Sequence, residues 1–124
     1  MIISVIGAGV LGLAYAASFA RGGHQVYCTD MDEEIVNAVK EGEFPGYESG
    51  LERVVAEAEA TGNLEFTGHL RKVIKEAEVI FITCEVPEDD EHMPSLRFVR
   101  AIAQSIGSQM EEPKIVVLKS SVPP

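Results

Sequence analysis

A glycine-rich segment near the start of the chain has the spacing with the clearest chemical meaning. Gly7-Ala8-Gly9-Val10-Leu11-Gly12 fits the pattern G-x-G-x-x-G. The pattern alone is common, but here it follows the apolar run Ile2–Ile6 and opens a helical pattern, as it does in dinucleotide-binding βαβ units. The segment is therefore predicted to be a turn that holds a diphosphate.

Each glycine of this turn has a physical reason to be glycine. Gly7 permits the tight turn, Gly9 lets a pyrophosphate approach the backbone, and Gly12 lets the helix pack closely on the strand. Unpaired N–H groups at the helix start, near Val10 and Leu11, would then meet the phosphates at the positive end of the helix dipole. These five residues are predicted to bind a cofactor.

An acidic residue completes the dinucleotide pattern. Asp30 lies about 20 residues beyond Gly12 and directly follows the apolar run Gln25–Thr29. Its carboxylate can accept hydrogen bonds from the adenosine ribose hydroxyls and would repel a 2′-phosphate. No arginine follows it, so the sequence predicts NAD rather than NADP. The alternative is a turn that serves only sheet packing, with Asp30 as a helix cap, although Asp32 already offers a cap.

Apolar runs alternate with helical patterns along the chain. Strands that alternate with helices form a parallel sheet with right-handed crossovers. The sequence therefore predicts an α/β fold, a Rossmann-type doubly wound parallel sheet of strand order 3-2-1-4-5. Residues 1–124 are expected to form one NAD-binding domain that stops after its fifth strand, as the first part of a longer enzyme. The predicted strands are Ile2–Ile6, Gln25–Thr29, Leu64–Thr67, Val79–Thr83 and Ile115–Leu118.

Helix ends are marked by polar residues and glycine. Asp32 and Ser95 can each cap a helix, and Ser49 with Glu52 three residues later fits a capping box. Gly62 stands where the helix after Glu52 should stop.

Composition excludes several classes of function. The 124 residues are 46% hydrophobic, which supports a packed core, and the formal net charge is −10. Nucleic-acid phosphates and anionic lipid would repel such a chain, so neither is an expected partner. Two cysteines are too few for a disulfide scaffold. With no basic leader and no apolar run of bilayer length, a cytoplasmic protein is expected.

The remaining reactive residues have plainer explanations. Cys84, at the end of the fourth predicted strand, has no histidine beside it in the sequence and is interpreted as packing, as is Cys28. The acidic stretch Glu85–His92 lacks the spacing of a calcium loop, so a solvated loop and no metal site are predicted.

Four further segments resemble one family, the UDP-glucose/GDP-mannose dehydrogenases. They are similar to the family's segments P-x-Y-E-P-G-L-E, G-x-L-x-F-T, E-A-D-V-I-F-I and K-S-T-V-P, and together with the glycine turn they cover essentially the whole chain. The segments are Pro45–Glu52, Gly62–Thr67, Glu76–Ile82 and Lys119–Pro123.

The resemblance implies oxidation of the C6 alcohol of a nucleotide sugar to a carboxylate in two NAD-dependent hydride transfers. It also implies a homodimeric complete enzyme whose catalytic cysteine lies in a G-G-x-C motif absent from this chain. Ser121 matches the family's threonine at the nicotinamide side, which helps hold the catalytic water. Val86 stands where the family has a cofactor-contacting threonine, Ile35 replaces a ribose-binding lysine, and Ser49 replaces a proline.

Two other functions stay open at this stage. One is another NAD-dependent dehydrogenase of the wider superfamily, of the 3-hydroxyacyl-CoA or 6-phosphogluconate type. The other is a freestanding NAD-binding regulatory module. As a fragment of a nucleotide-sugar dehydrogenase, the 124-residue chain alone is expected to bind NAD without turnover.

Overall fold

The computed structural model describes residues 1–44, 50–83 and 97–119. Within these ranges the chain forms five strands and five helices, with one helix between neighbouring strands except for two successive helices between the second and third strands, as predicted. The strands are β1 (Ile2–Ile6), β2 (Gln25–Thr29), β3 (Leu64–Phe66), β4 (Val79–Ile82) and β5 (Ile115–Leu118). The helices are α1 (Val10–Arg21), α2 (Glu33–Lys40), α3 (Leu51–Ala60), α4 (Leu70–Glu76) and α5 (Arg97–Gln109).

The five strands form one parallel sheet in the order β3-β2-β1-β4-β5, which confirms the predicted fold class and topology. Ile6 at the end of β1 pairs with Thr29 on one side and Ile82 on the other. The carboxyl ends of the three central strands therefore meet at one edge. Strands β3 and β4 are each one residue shorter than predicted, so Thr67 and Thr83 stand just beyond that edge.

Apolar side chains cover both faces of the sheet at its centre, whereas the edge strand β5 is largely exposed. On one face α1 and α3 pack with their buried residues Leu13 and Val55 against β1, β2 and β3. On the other face α4 and α5 pack against Ile6, Ile80 and Ile82. Burial on both faces explains why β1 is a nearly continuous apolar run. None of the described helices is long and apolar enough to cross a membrane.

The helix ends agree with the sequence at α2 and differ at α3. Asp32 caps α2, because its Oδ1 accepts a hydrogen bond from the Glu34 N–H at 3.0 Å. The predicted capping box at Ser49 is wrong, since the N-cap residue of α3 is Gly50. Gly50 has φ +87°, a left-handed conformation that glycine adopts without strain, and Ser49 itself lies outside the described residues. Gly62 follows the end of α3, as predicted.

Candidate functional site

The glycine turn lies at the carboxyl edge of the sheet, between β1 and α1. Gly7 has φ +127°, which explains why this first position of the turn is glycine. A Cβ on Gly12 would overlap the Gly7 carbonyl and would lie 2.6 Å from Oγ1 of Thr83. A Cβ on Gly9 would instead meet no atom within 4 Å. The turn thus has no space for a side chain at Gly12 but has open space at Gly9. This arrangement fits a cradle for a diphosphate.

The start of α1 offers unpaired backbone donors. Its N-cap residue is Gly9, which has no side chain to cap the helix, and its first turn contains no acidic residue. The first intrahelical hydrogen bond runs from the Leu13 N–H to the Gly9 carbonyl. The geometry of a helix therefore leaves the N–H groups of Val10, Leu11 and Gly12 without partners inside it. A positive helix end without its own acid can bind an anion.

Asp30 lies beside this turn, directly after β2. One carboxylate oxygen accepts the Ala8 N–H at 2.8 Å, and the other accepts the Asp32 N–H at 2.9 Å. A carboxylate has about four acceptor positions, so these two bonds leave capacity for a ribose. The two bonds also fix the orientation of the carboxylate. The structure places Asp30 directly after β2, as the sequence indicates, but its hydrogen bond to the glycine turn could not be read from the sequence.

The residues after Asp30 add negative charge and no positive charge. Asp32, Glu33 and Glu34 are exposed, and the two glutamates lie in the first turn of α2. Ile35, which stands where the resembling family has lysine, packs against the hydrophobic core. No cation therefore stands close along the chain to offset a 2′-phosphate at Asp30.

Cys28 is part of the core, as the sequence predicted. It is fully buried, and burial together with the nearby Asp30 charge raises the pKa of its thiol to about 12. The thiol is thus protonated and inert at neutral pH. Within the described ranges no three histidine, cysteine, aspartate or glutamate side chains come together as a metal site.

Several residues on which the sequence made a prediction, as site residues or as residues with a structural role, lie outside the described residues. These are the two remaining cofactor positions, the second cysteine and the acidic loop. They are Val86, Ser121, Cys84 and Glu85–His92.

A second concave region lies at the opposite, amino edge of the sheet. Its volume is about 510 Å³, and its lining includes Lys75, Glu78 and Lys114. The Lys114 ammonium already donates hydrogen bonds to the carbonyls of Lys75 and Ala77, at the end of α4. That charge serves the helix end, so this region is a poorer candidate for an anionic ligand than the glycine turn.

Comparison with known proteins agrees with this geometry. The sequence profile of the UDP-glucose/GDP-mannose dehydrogenase family, NAD binding domain, matches residues 1–124. The chain belongs to this family. The family's domain binds NAD, so the cofactor expected from the glycine turn and Asp30 is confirmed as NAD.

Individual members of the family are similar over the whole chain. The UDP-glucose 6-dehydrogenase of Pseudomonas aeruginosa is 41% identical over 123 residues, which are 99% of this chain and 27% of that protein. The structure of a UDP-glucose dehydrogenase from Pyrobaculum islandicum matches 99% of this chain and 29% of its own, with 31% identity and a TM-score of 0.89. A ternary complex of GDP-mannose dehydrogenase from Pseudomonas aeruginosa matches all of this chain and 29% of its own, with 28% identity and a TM-score of 0.90. The chain thus spans less than a third of the length of these family members.

Proposed function

We propose that this chain is the cofactor-binding part of a nucleotide-sugar dehydrogenase, which oxidises the C6 alcohol of UDP-glucose or a similar sugar nucleotide to a carboxylate. The family match supports the class of enzyme, and the relatives named above are dehydrogenases of UDP-glucose and GDP-mannose. The observation that carries the proposal is the placement of Asp30 at 2.8 Å from the backbone of the glycine turn. It brings a ribose acceptor and a diphosphate cradle to the same strand edge.

The roles of the residues follow from their atoms. The N–H groups of Val10, Leu11 and Gly12 hold the diphosphate, since α1 leaves them without partners. Asp30 uses its free acceptor positions for the hydroxyls of the adenosine ribose. Bound NAD supplies a hydride acceptor. Gly7 and Gly9 make room, the first by its backbone conformation and the second by lacking a side chain.

The remaining parts of the proposal rest on the sequence. Ser121, in the segment similar to K-S-T-V-P, is proposed to contact the nicotinamide side and to help hold the catalytic water. Val86 is proposed to adjoin the cofactor without the hydroxyl that the family has there. The nucleotide sugar is proposed to bind mainly through parts of the enzyme beyond this chain, in a cytoplasmic homodimer.

The experiment is a calorimetric titration of the 124-residue chain with NAD, followed by an assay with NAD and UDP-glucose. We expect saturable binding of NAD and no steady production of NADH. Binding should weaken at least tenfold in Asp30→Ala, because charge-assisted hydrogen bonds of about 1.5–3 kcal/mol are lost. Glu33→Ala, which removes an exposed acid three residues away, is the matched control and should bind NAD at least as well as the parent chain.

Failure would take distinct forms. A chain that binds no NAD contradicts the proposed cofactor role. Steady NADH production by the chain alone contradicts the proposal that the nucleophile and most of the sugar site lie outside it. Equal losses in Asp30→Ala and Glu33→Ala would show that the weakening is not specific to the Asp30 carboxylate.

A further inference from the structure

The first peptide unit of the glycine turn, which joins Gly7 to Ala8, is held at both ends. Its N–H belongs to Ala8 and donates to Oδ2 of Asp30 at 2.8 Å. Its carbonyl belongs to Gly7 and accepts from Oγ1 of Thr83 at 3.1 Å, and the other carbonyl near this hydroxyl, that of Ile6, is farther away at 3.4 Å. Asp30 follows β2 and Thr83 follows β4, the two strands that flank β1. The peptide plane at the start of the turn is therefore fixed from both neighbouring strands.

Thr83 is itself held rigidly. Its backbone N–H donates to the Ile6 carbonyl at 2.9 Å, which continues the pairing of β4 with β1 beyond the end of the strand. Its side chain is buried, and Oγ1 is close to the backbone of Gly12 as well as to the Gly7 carbonyl. The threonine thus fills the space between the first and the last glycine of the turn.

We propose that Thr83 is a positioning residue that, together with Asp30, presets the phosphate cradle by clamping the Gly7–Ala8 peptide. The inference rests on the proposed function of the glycine turn. A peptide held at both ends cannot rotate, so the chain enters α1 in one direction and its first N–H groups keep a fixed aim. Without the hydroxyl the carbonyl end is released, and part of the binding free energy is then spent on ordering the turn.

This role predicts that removing the Thr83 hydroxyl lowers the affinity only for ligands that contain a diphosphate. Thr83 acts on the diphosphate cradle, so a ligand with a diphosphate should lose affinity when the hydroxyl is removed. Adenosine lacks phosphates and relies on Asp30 and its surroundings, so its affinity should stay unchanged. A general loosening of the fold would weaken both ligands alike.

The test compares ADP and adenosine by NMR titration of the 124-residue chain and its variants. Thr83→Val keeps the shape and removes the hydroxyl, and Thr83→Ala removes it with less bulk should the valine variant not fold. Thr83→Ser keeps the hydroxyl. Thr29→Val is the matched control, because Thr29 also ends a central strand, is buried, and its hydroxyl has no hydrogen-bond partner within the described ranges.

We expect ADP affinity to fall about 3- to 10-fold in Thr83→Val and Thr83→Ala, the effect of one lost hydrogen bond. Adenosine affinity should change less than twofold, and Thr83→Ser and Thr29→Val should bind ADP like the parent chain. Hydrogen exchange of the Ala8 amide should be several-fold faster in Thr83→Val without any ligand. Unchanged ADP affinity, equal losses for ADP and adenosine, or failure of Thr83→Ser to restore binding would each overturn the inference.

The exchange measurement separates this inference from the proposed function. If the parent chain bound neither ADP nor NAD, the proposed function would fail while the Ala8 exchange rate would still decide whether the clamp exists. If the parent chain bound both and Thr83→Val behaved like it, the clamp alone would fail.

Discussion

At the scale of single residues, Gly12 has no space for a side chain. A Cβ there would overlap the backbone carbonyl of Gly7, which cannot move without breaking its contact with Thr83. We expect Gly12→Ala to destabilise the chain by about 1–3 kcal/mol, as overpacking does, and to abolish NAD binding. Chemical denaturation and calorimetric titration measure the two effects.

Gly107 provides the control for that substitution. It also lies in a helix, α5, but a Cβ there meets nothing within 4 Å. Gly107→Ala should therefore stabilise the chain by up to about 1 kcal/mol through helix propensity, with NAD binding unchanged. A loss of stability in Gly107→Ala equal to that in Gly12→Ala would show that the clash with Gly7 is not the cause.

Substitution of Thr29 measures the free-energy cost of burying its hydroxyl group. Its Oγ1 is buried and, in the part of the chain that the structure describes, has no hydrogen-bond partner. Burial of an unsatisfied hydroxyl costs about 1–3 kcal/mol, so Thr29→Val should unfold at a higher denaturant concentration than the parent chain. Ser4 is the contrasting case, because its buried hydroxyl donates to the Val73 carbonyl at 2.6 Å, and Ser4→Ala should destabilise.

The residue scale also shows what the sequence could and could not predict. The glycines and Asp30 form a local pattern in which each residue has its own reason, so they could be found without a structure. Thr83 could not, since it meets Gly7 across 76 positions of sequence. Only the strand order brings the two together, and no local pattern marks a threonine after a strand as a hydrogen-bond donor to a turn.

At the scale of elements, β2 carries two groups that make the fold sensitive to alkaline pH. Burial, assisted by the Asp30 charge, raises the pKa of Cys28 from 9.0 to about 12. The neighbouring Glu76 carboxylate on α4 is the main cause that raises the pKa of Tyr27 from 10.0 to about 12. Both groups keep their protons in the folded state while the unfolded chain loses them. Their stabilisation is therefore complete below pH 9 and is lost as the pH rises towards 12.

Urea unfolding between pH 8 and pH 11 measures this loss. The unfolding free energy should fall over that interval, and Cys28→Ala and Tyr27→Phe should each make the fall less steep, whatever their effect at pH 8. Cys28 should also resist alkylation at pH 8 in the folded chain and react in urea. If neither substitution changed the slope of the unfolding free energy against pH, the assignment of the alkaline sensitivity to the two groups on β2 would be contradicted.

The sequence could predict which segments form helices and which form strands, because the two differ in the spacing of their apolar residues. The helices repeat apolar residues every three or four positions, whereas the buried strands are short apolar runs. Element ends were harder. The cap of α2 was predictable because Asp32 reaches the backbone two residues on. The start of α3 was not, because a positive-φ glycine took the cap position that the capping-box pattern assigned to Ser49.

At the scale of the whole molecule, a net charge of −10 opposes every anionic ligand. The local amides of α1 must overcome this for NAD, and NADP carries an additional phosphate towards Asp30. We expect NAD to bind at least tenfold more tightly than NADP at low salt. The ratio of the NADP to the NAD dissociation constant should become smaller as salt screens the repulsion, because NADP is the more highly charged ligand and its affinity gains more from screening. Titrations at two ionic strengths measure the ratio, and tighter binding of NADP in either would contradict the role given to Asp30.

The most direct measurement is an amide chemical-shift map of the 124-residue chain during titration with NAD. The account predicts that the largest changes fall on the N–H groups of Gly9 to Gly12 and on those of Ala8 and Asp32, which the Asp30 carboxylate accepts. Changes centred instead on the second concave region, which Lys75 and Lys114 line, with the chemical shifts of the glycine turn unchanged, would contradict the account.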